Sequence, residues 1–263
     1  MIEKTDAIVL KWHPVTNTSR IVIWFTRSHG RVTTIIKGCQ RPNSLFLGQF
    51  DLFYTCELLY YLKEHNDLHH TKECSPFKRR DNLRTDWRAA AAASFFTDIV
   101  LRVCPPRAAH PDIYDLLDQA LDEINVNGIN FAIFFWFELK LLQLLGHAPQ
   151  MAHCIDCQKE QPLAAQRIRL AYERGAILCT ACAEFDHSHT GIISPAARAM
   201  MLNLEKCDRP GEVRNTRTSP EQAKEIAAHM SRFMEFHMET SLRSQHLATE
   251  IMMRHTPVSR GAA

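Results

Sequence analysis

Apolar and β-branched residues recur in short runs over the first third of the chain. Ala7-Ile8-Val9-Leu10-Lys11-Trp12 is one such run, and Arg20 through Thr26, with Ile21, Val22, Ile23, Trp24 and Phe25, is a second. Ser28-His29-Gly30 punctuates the chain before a third run from Arg31 to Lys37, and two β-rich runs joined by a short glycine-bearing turn read as a hairpin. Residues 38–44, with Gly38, Pro42 and Asn43, read as a loop, and the segment from Gln49 to Leu62 supplies one or two further strands. Several short strands without an intervening helix suggest a small barrel of OB type.

The period then changes. Leu83 to Val103 carries five consecutive alanines, Ala89 to Ala93, and ends at Cys104-Pro105-Pro106; it reads as a helix. Pro111 to Asn125 places Ile113, Leu116, Leu117, Ala120, Leu121 and Ile124 at helical spacing. A third helix runs over residues 129–145 and ends at Gly146 and Pro149. Further on, Ser194-Pro195 and Ser219-Pro220 each offer a capping serine followed by proline at the first helical position. The expectation is an α+β chain: an OB-fold β-barrel over residues 1–82, then an α-helical domain over 83–263 with a cysteine-rich insert at about 150–186.

Composition narrows the class. Hydrophobic residues make up 46% of the chain, enough for a packed core. The stretch from Ile129 to Leu145 contains Asn130, Glu138, Lys140 and Gln143, too polar and short for a membrane span, so a buried helix is expected. No signal peptide is read at the N-terminus, so the expectation is a cytoplasmic protein. Nine cysteines in a reducing compartment favour metal binding over disulfides. Residues 1–84 hold 13 Lys/Arg against 8 Asp/Glu, while the remainder is mildly acidic, which hints at an anionic partner for the first part.

The sharpest chemical signal is Cys154-x-x-Cys157 followed, after 21 intervening residues, by Cys179-x-x-Cys182. Each pair forms a knuckle, and two knuckles converging give the tetrahedral thiolate set that Zn²⁺ accepts. Four cysteines fill the shell, so the ion is structural. Ile168 to Tyr172 reads as a short strand and Arg174-Gly175 as a turn, the anatomy of a zinc ribbon. His153 is the one nearby substitute ligand. Signatures of phosphate-binding loops, dinucleotide folds, nucleophile elbows, metalloproteases and zinc deaminases are absent, and no catalytic residue is assigned. His65, His69 and His70 read as a solvated surface turn.

These segments together resemble the bacterial RecO family. The resemblance rests on Asp6-Ala7-Ile8-Val9-Leu10, Phe25-Thr26-Arg27-Ser28-His29-Gly30, Lys37-Gly38 and Arg41-Pro42-Asn43-Ser44. It continues through Phe137-Glu138-Leu139-Lys140-Leu141-Leu142, Leu145-Gly146-His147-Ala148-Pro149 and the first cysteine knuckle. The segment from His237 to Leu247, with Ser244, is similar to the family's final helix. Asn43 and Leu45 stand where the family's loop carries charge, and Arg174-Gly175 where it carries two glycines. The resemblance implies DNA repair and homologous recombination: binding of single- and double-stranded DNA, strand annealing, and loading of RecA recombinase onto strands covered by single-strand binding protein. It implies RecR and the acidic tail of the single-strand binding protein as partners, and a nucleoid-associated, non-enzymatic role.

Physical reasoning then nominates residues. Lys11, Arg20, Arg27, Arg31, Lys37 and Arg41 supply charge on or beside the barrel strands, and Lys78, Arg79 and Arg80, with Arg84, continue it. Trp12, Trp24, Phe46 and Tyr54 are candidate stacking groups, or barrel core. For an acidic, apolar-ended tail, the helix at 83–103 offers Phe95, Phe96, Ile99 and Leu101, with Arg88, Arg102 and Arg107 at its rim; a second face carries Arg232 and Arg243. Two other readings stay open: a zinc-ribbon scaffold or regulatory protein whose barrel binds protein rather than DNA, and a redox protein using Cys154 and Cys157.

Overall fold

A computed structural model of the chain describes residues 1–63, 66–186 and 188–254. By compactness these fall into two units, Met1–Asn127 and Gly128–Ala263. The change from strand to helix comes earlier, after Lys78.

The first unit is built on five strands: β1 (Ile2–Pro14), β2 (Arg20–Thr26), β3 (Gly30–Ile36), β4 (Thr55–Tyr61) and β5 (Leu68–Lys78). They close into a barrel in the order β1-β2-β3-β5-β4, with β3 and β5 parallel and the other pairs antiparallel. Long β1 serves both neighbours: residues from Ala7 onward pair with β2, and residues up to Ile8 pair with β4. A bulge between Val9 and Lys11 bends the strand between these two duties. Strict alternation on β3 turns Val32, Thr34 and Ile36 inward, where they meet Val22, Trp24, Cys56, Leu58 and Tyr60. The buried Trp24 indole N–H is satisfied by Thr34 Oγ1 at 2.8 Å.

One sequence expectation is narrowed here and another changes. The segment 49–62 gives one strand, β4, because residues 49–54 are taken up by turns. His69 and His70 lie on β5 and not in a surface turn. His69 is 4% exposed, its Nδ1 accepts the Lys63 N–H, and burial lowers its pKa. His65 lies outside the described residues.

After a single turn of tight helix at Asp81–Arg84, α1 (Trp87–Val103) begins four residues later than its apolar pattern suggests. The reason is Asp86, whose side chain caps the free N–H groups of Arg88 and Ala89. Helix α1 packs on α2 (Pro111–Asn127) and on β1.

In the second unit, α3 (Phe131–Leu144) is apolar on nearly every side and buried accordingly. A four-stranded sheet follows, from β6 (Gln150–Cys154), β7 (Arg169–Ala171), β8 (Ala176–Leu178) and β9 (Thr190–Ile192), in the order β6-β8-β7-β9. The short α4 (Thr180–Ala183) lies within it in sequence. Helices α5 (Pro195–Lys206), α6 (Pro210–Val213), α7 (Pro220–Met238) and α8 (Arg243–Arg254) complete the unit. Ser194 and Ser219 cap α5 and α7 as expected, the latter with a reciprocal bond from its own N–H to the Gln222 side chain. The final helix is shifted from the expected 237–247: His237 lies at the end of α7, Glu239 adopts a left-handed conformation, and α8 starts at Arg243. Among the described residues no helix is long and apolar enough to cross a membrane.

Candidate metal centre and nucleic-acid interface

The cysteine knuckles are positioned by the small sheet. Cys154 ends β6, and its carbonyl accepts the N–H of Gln158, turning the chain so that Cys157 comes back beside it. Cys179 follows β8 and opens α4, which carries Cys182 one turn on. Pairing of β6 with β8 through Cys154 and Ile177 brings the knuckles together. The four sulfurs lie within 4.8 Å of one another, with Cys157 and Cys179 Sγ 3.9 Å apart. Tetrahedral zinc with bonds of about 2.3 Å requires sulfur separations of roughly 3.8 Å, so the set fits. It contains no carboxylate; His153 is exposed and outside it.

Burial disfavours a thiolate at Cys154, but backbone N–H groups of Cys157, Cys179 and Asp156 outweigh it and lower the thiol pKa to about 6. Arg174, in the β7–β8 turn, reaches Asp156 inside the first knuckle and Asp186 just beyond the second. It therefore staples the two halves of the site, a role that spacing alone did not reveal.

On the barrel, the nominated cations separate into two groups. Arg80 is buried: its guanidinium donates to Asp118 (2.6 Å), Asp122 (2.7 Å), the Phe53 carbonyl and Thr55. Lys78 bridges the same two carboxylates. Arg27 pairs with Asp115, and Arg31 donates to the Leu101 carbonyl. Arg27, Lys78 and Arg80 thus spend charge on carboxylates of α2, while Arg31 donates to a neutral carbonyl of α1, and all four tie the barrel to these helices. Lys11, Lys37, Arg41 and Arg79 are exposed. Arg20 lies 5.4 Å over the Trp12 ring, leaving that half-buried aromatic with a cation on its face.

Trp24 and Tyr54 are barrel core and unavailable for stacking; Trp12 and Phe46 are half-buried. Gly38 and Gln40 donate from the β3–β4 loop to Ser19 and Thr18 of the β1–β2 turn, so the two loops form one end of the barrel. A signal that the sequence reading missed lies here. Between Ala7 and Phe50 there are six Lys/Arg and no Asp or Glu. A charge balance taken over residues 1–84 dilutes this run with acids on either side.

The partner residues also separate. Phe96 is 0% exposed, as is Phe95, so this face of α1 is core and leaves them no part in an open slot. Arg102 pairs with Asp98, one turn away on α1, and Arg107 pairs with Asp67. In the second unit Arg232 is exposed over the Tyr172 ring and lines a cavity of about 540 Å³ with Phe236, Glu173, Glu235 and His189. Arg243 is exposed at the start of α8 and is not part of that cavity.

Comparison with known proteins agrees with this architecture. Residues 1–80 match the family model for the recombination protein O N terminal, and residues 84–246 match that for the recombination protein O C terminal. The DNA repair protein RecO of Caldanaerobacter subterraneus subsp. tengcongensis is 23% identical over 256 residues, covering 94% of this chain and 98% of that protein. That of Moorella thermoacetica is 26% identical, covering 94% and 91%, and that of Geobacter metallireducens 27%, covering 87% and 93%.

Proposed function

The chain belongs to the recombination protein O family and has a role in DNA repair and recombination, and from this premise we propose that it is a non-enzymatic recombination mediator. It binds single- and double-stranded DNA, anneals complementary strands and helps load RecA onto strands covered by single-strand binding protein. The observation that carries this reading is the run from Ala7 to Phe50, which holds six cations and no acid, leaves Lys11, Lys37 and Arg41 exposed and sets Arg20 on Trp12; Asp51, just beyond it, accepts from the Trp12 indole and is paired with Arg84. A cationic loop pair beside aromatic faces suits a phosphate backbone with splayed bases. Arg79 extends the track. The domain assignment that goes with it is residues 1–82 as the DNA-binding part and 83–263 as the helical part with its zinc ribbon.

The four cysteines hold one structural Zn²⁺ in this reading; the all-thiolate donor set supports that ion. The acidic tail of single-strand binding protein is assigned to the Arg232 and Phe236 cavity, because Arg102 and Arg107 pair with aspartates while Arg232 sits beside exposed apolar surface. Arg243 is assigned to the surrounding face. RecR is a further partner, and the site of action is the cytoplasmic nucleoid.

The test is DNA binding by the full chain across a salt series. Affinity should fall steeply as salt rises. Lys37→Glu with Arg41→Glu should weaken binding to all sequences and flatten the slope by about 0.7–0.9 for each phosphate that is no longer neutralised. Binding that is absent, or that ignores salt, would leave the barrel as a protein-binding module and overturn the proposal. Annealing of strands coated with single-strand binding protein, with and without the chain, tests the mediator step itself.

A further inference from the structure

The β3–β4 loop ends in a shaped tip. Successive backbone bonds run from Arg41 N–H to Gly38 O, Ser44 N–H to Arg41 O, Leu47 N–H to Ser44 O and Gln49 N–H to Phe46 O, all between 3.0 and 3.2 Å. Ser44 Oγ also accepts the Phe46 N–H. Phe46 packs against the barrel core and anchors the tip. Its neighbour Leu45 does the opposite: it is 91% exposed, and Leu47 is 49% exposed.

A single exposed leucine is ordinary on a protein surface. Three features set this one apart. It stands on a run of bonded turns, so its position is preset. The residue beside it is held by the core, so the tip cannot simply fold Leu45 inward. It also lies within the acid-free run, on the same loop as Lys37 and Arg41. The carboxylate that follows in sequence, Asp51, is taken up by the Trp12 indole N–H and by Arg84. An apolar group displayed on a loop with cations suits a polyanion with apolar gaps. The space between adjacent bases on a phosphate backbone is such a gap. A protein partner with both properties would need an acidic and apolar segment laid in a groove, whereas Leu45 projects from the surface.

We propose that Leu45 is a stacking wedge: when DNA lies on this end of the barrel, its side chain enters between neighbouring bases while Lys37 and Arg41 hold phosphates. The inference rests on the DNA-binding reading above and adds a deformation step to it. Local unstacking at this point presents bases outward, which suits a protein that must exchange one pairing partner for another.

The experiment uses the full chain and oligonucleotides carrying 2-aminopurine, whose fluorescence rises on unstacking. Wild type should give a severalfold rise on binding. Leu45→Ala should bring the signal back near that of free DNA, with the salt slope unchanged because no charge is removed. Leu45→Trp should bind with its own emission quenched by stacking. If wild type binds DNA with steep salt dependence but Leu45→Ala gives the same rise, or wild type gives none, the wedge is wrong and the DNA-binding reading stands. If wild type binds no DNA, that reading fails and the wedge falls with it. Loss of capture by single-strand binding protein in Leu45→Ala, with the fluorescence rise intact, would make the tip a protein-binding element and also overturn the wedge.

Discussion

Gln245 on α8 donates its side-chain N–H to a carboxyl oxygen of Glu138 on α3, and both residues are closed off from water. The other Glu138 oxygen and the Gln245 carbonyl oxygen have no partner in the described structure. A proton on Glu138 satisfies both at once, because the acid then donates to the amide while accepting from it. Burial favours this form and raises the Glu138 pKa to about 8, with the Gln245 bond pulling the other way. The folded state therefore binds this proton more tightly than the unfolded chain. Stability from this group is greatest below the ordinary carboxyl value near 4.5 and declines as pH rises toward 8, by at most about 1.4 kcal/mol per pH unit. Glu138→Gln keeps both bonds without a titrating proton. It should raise stability at pH 8 and flatten that decline, measured as the difference between variant and wild type in denaturant titrations from about pH 5 to about pH 9, the span that brackets the raised pKa. Parallel curves for the two proteins would refute the protonated pair.

Arg80 and Asp118 make the opposite case. Burial alone would raise the Asp118 pKa, but bonds from Lys78 and Arg80 outweigh it and hold the carboxyl below its usual range. Stability from Asp118 is thus present above its ordinary value near 3.8 and lost as pH falls through the depressed folded value. Arg80→Ala leaves two carboxylates with Lys78 alone and should cost about 3–5 kcal/mol, as expected for breaking a buried pair. Its effect on the salt slope of DNA binding should be nil where folding is intact. A slope that drops with Arg80 would return this residue to the DNA interface.

Metal removal should unfold the cysteine site before the barrel. Chelation, or Cys154→Ser, is expected to release about one Zn²⁺ per chain and lower the thermal midpoint, since binding energy here is folding energy. Arg174→Ala should weaken metal retention without removing a ligand, because Asp156 and Asp186 lose the cation joining them. Metal analysis of protein prepared under reducing conditions decides it. A chain with no bound metal, or one whose retention is indifferent to Arg174, would count against these roles.

Gly30 tests how the barrel meets the segment after α1. Its φ is +65°, and a Cβ there would stand 2.0 Å from the Ala108 carbonyl oxygen. Gly30→Ala combines a left-handed backbone with a clash against main chain, so it should destabilise by more than about 1 kcal/mol. Hydrogen exchange should speed up in residues 104–110 first. Unchanged protection there would mean that the segment yields easily.

The local devices of this fold were legible in the chain. The alternation of β3, the serine caps with following proline on α5 and α7, and the paired cysteine knuckles depend on neighbours within a few residues, and periodicity reports those directly. Strand β5 was not legible as a strand at its start. His69 and His70 read as polar turn residues, and only pairing with β3 and β4 makes them strand, with His69 beside the Tyr60 ring.

The charge signs of Arg80, Arg27, Lys37 and Arg41 were equally plain in the sequence, but their uses were not. Arg80 finds Asp118, 38 residues away, and Arg27 finds Asp115, 88 residues away, while Lys37 and Arg41 stay exposed on a loop, Arg41 lying back along Gly38. Likewise Phe96 and Leu45 are both apolar, yet one is core and the other fully displayed. Residue type and spacing determined the elements, the thiolate set and the supply of cations. Which cations were neutralised, which apolar groups were buried and which carboxyl had its pKa raised were decided by tertiary structure, because desolvation and ion pairing depend on distance in space and not on position along the chain.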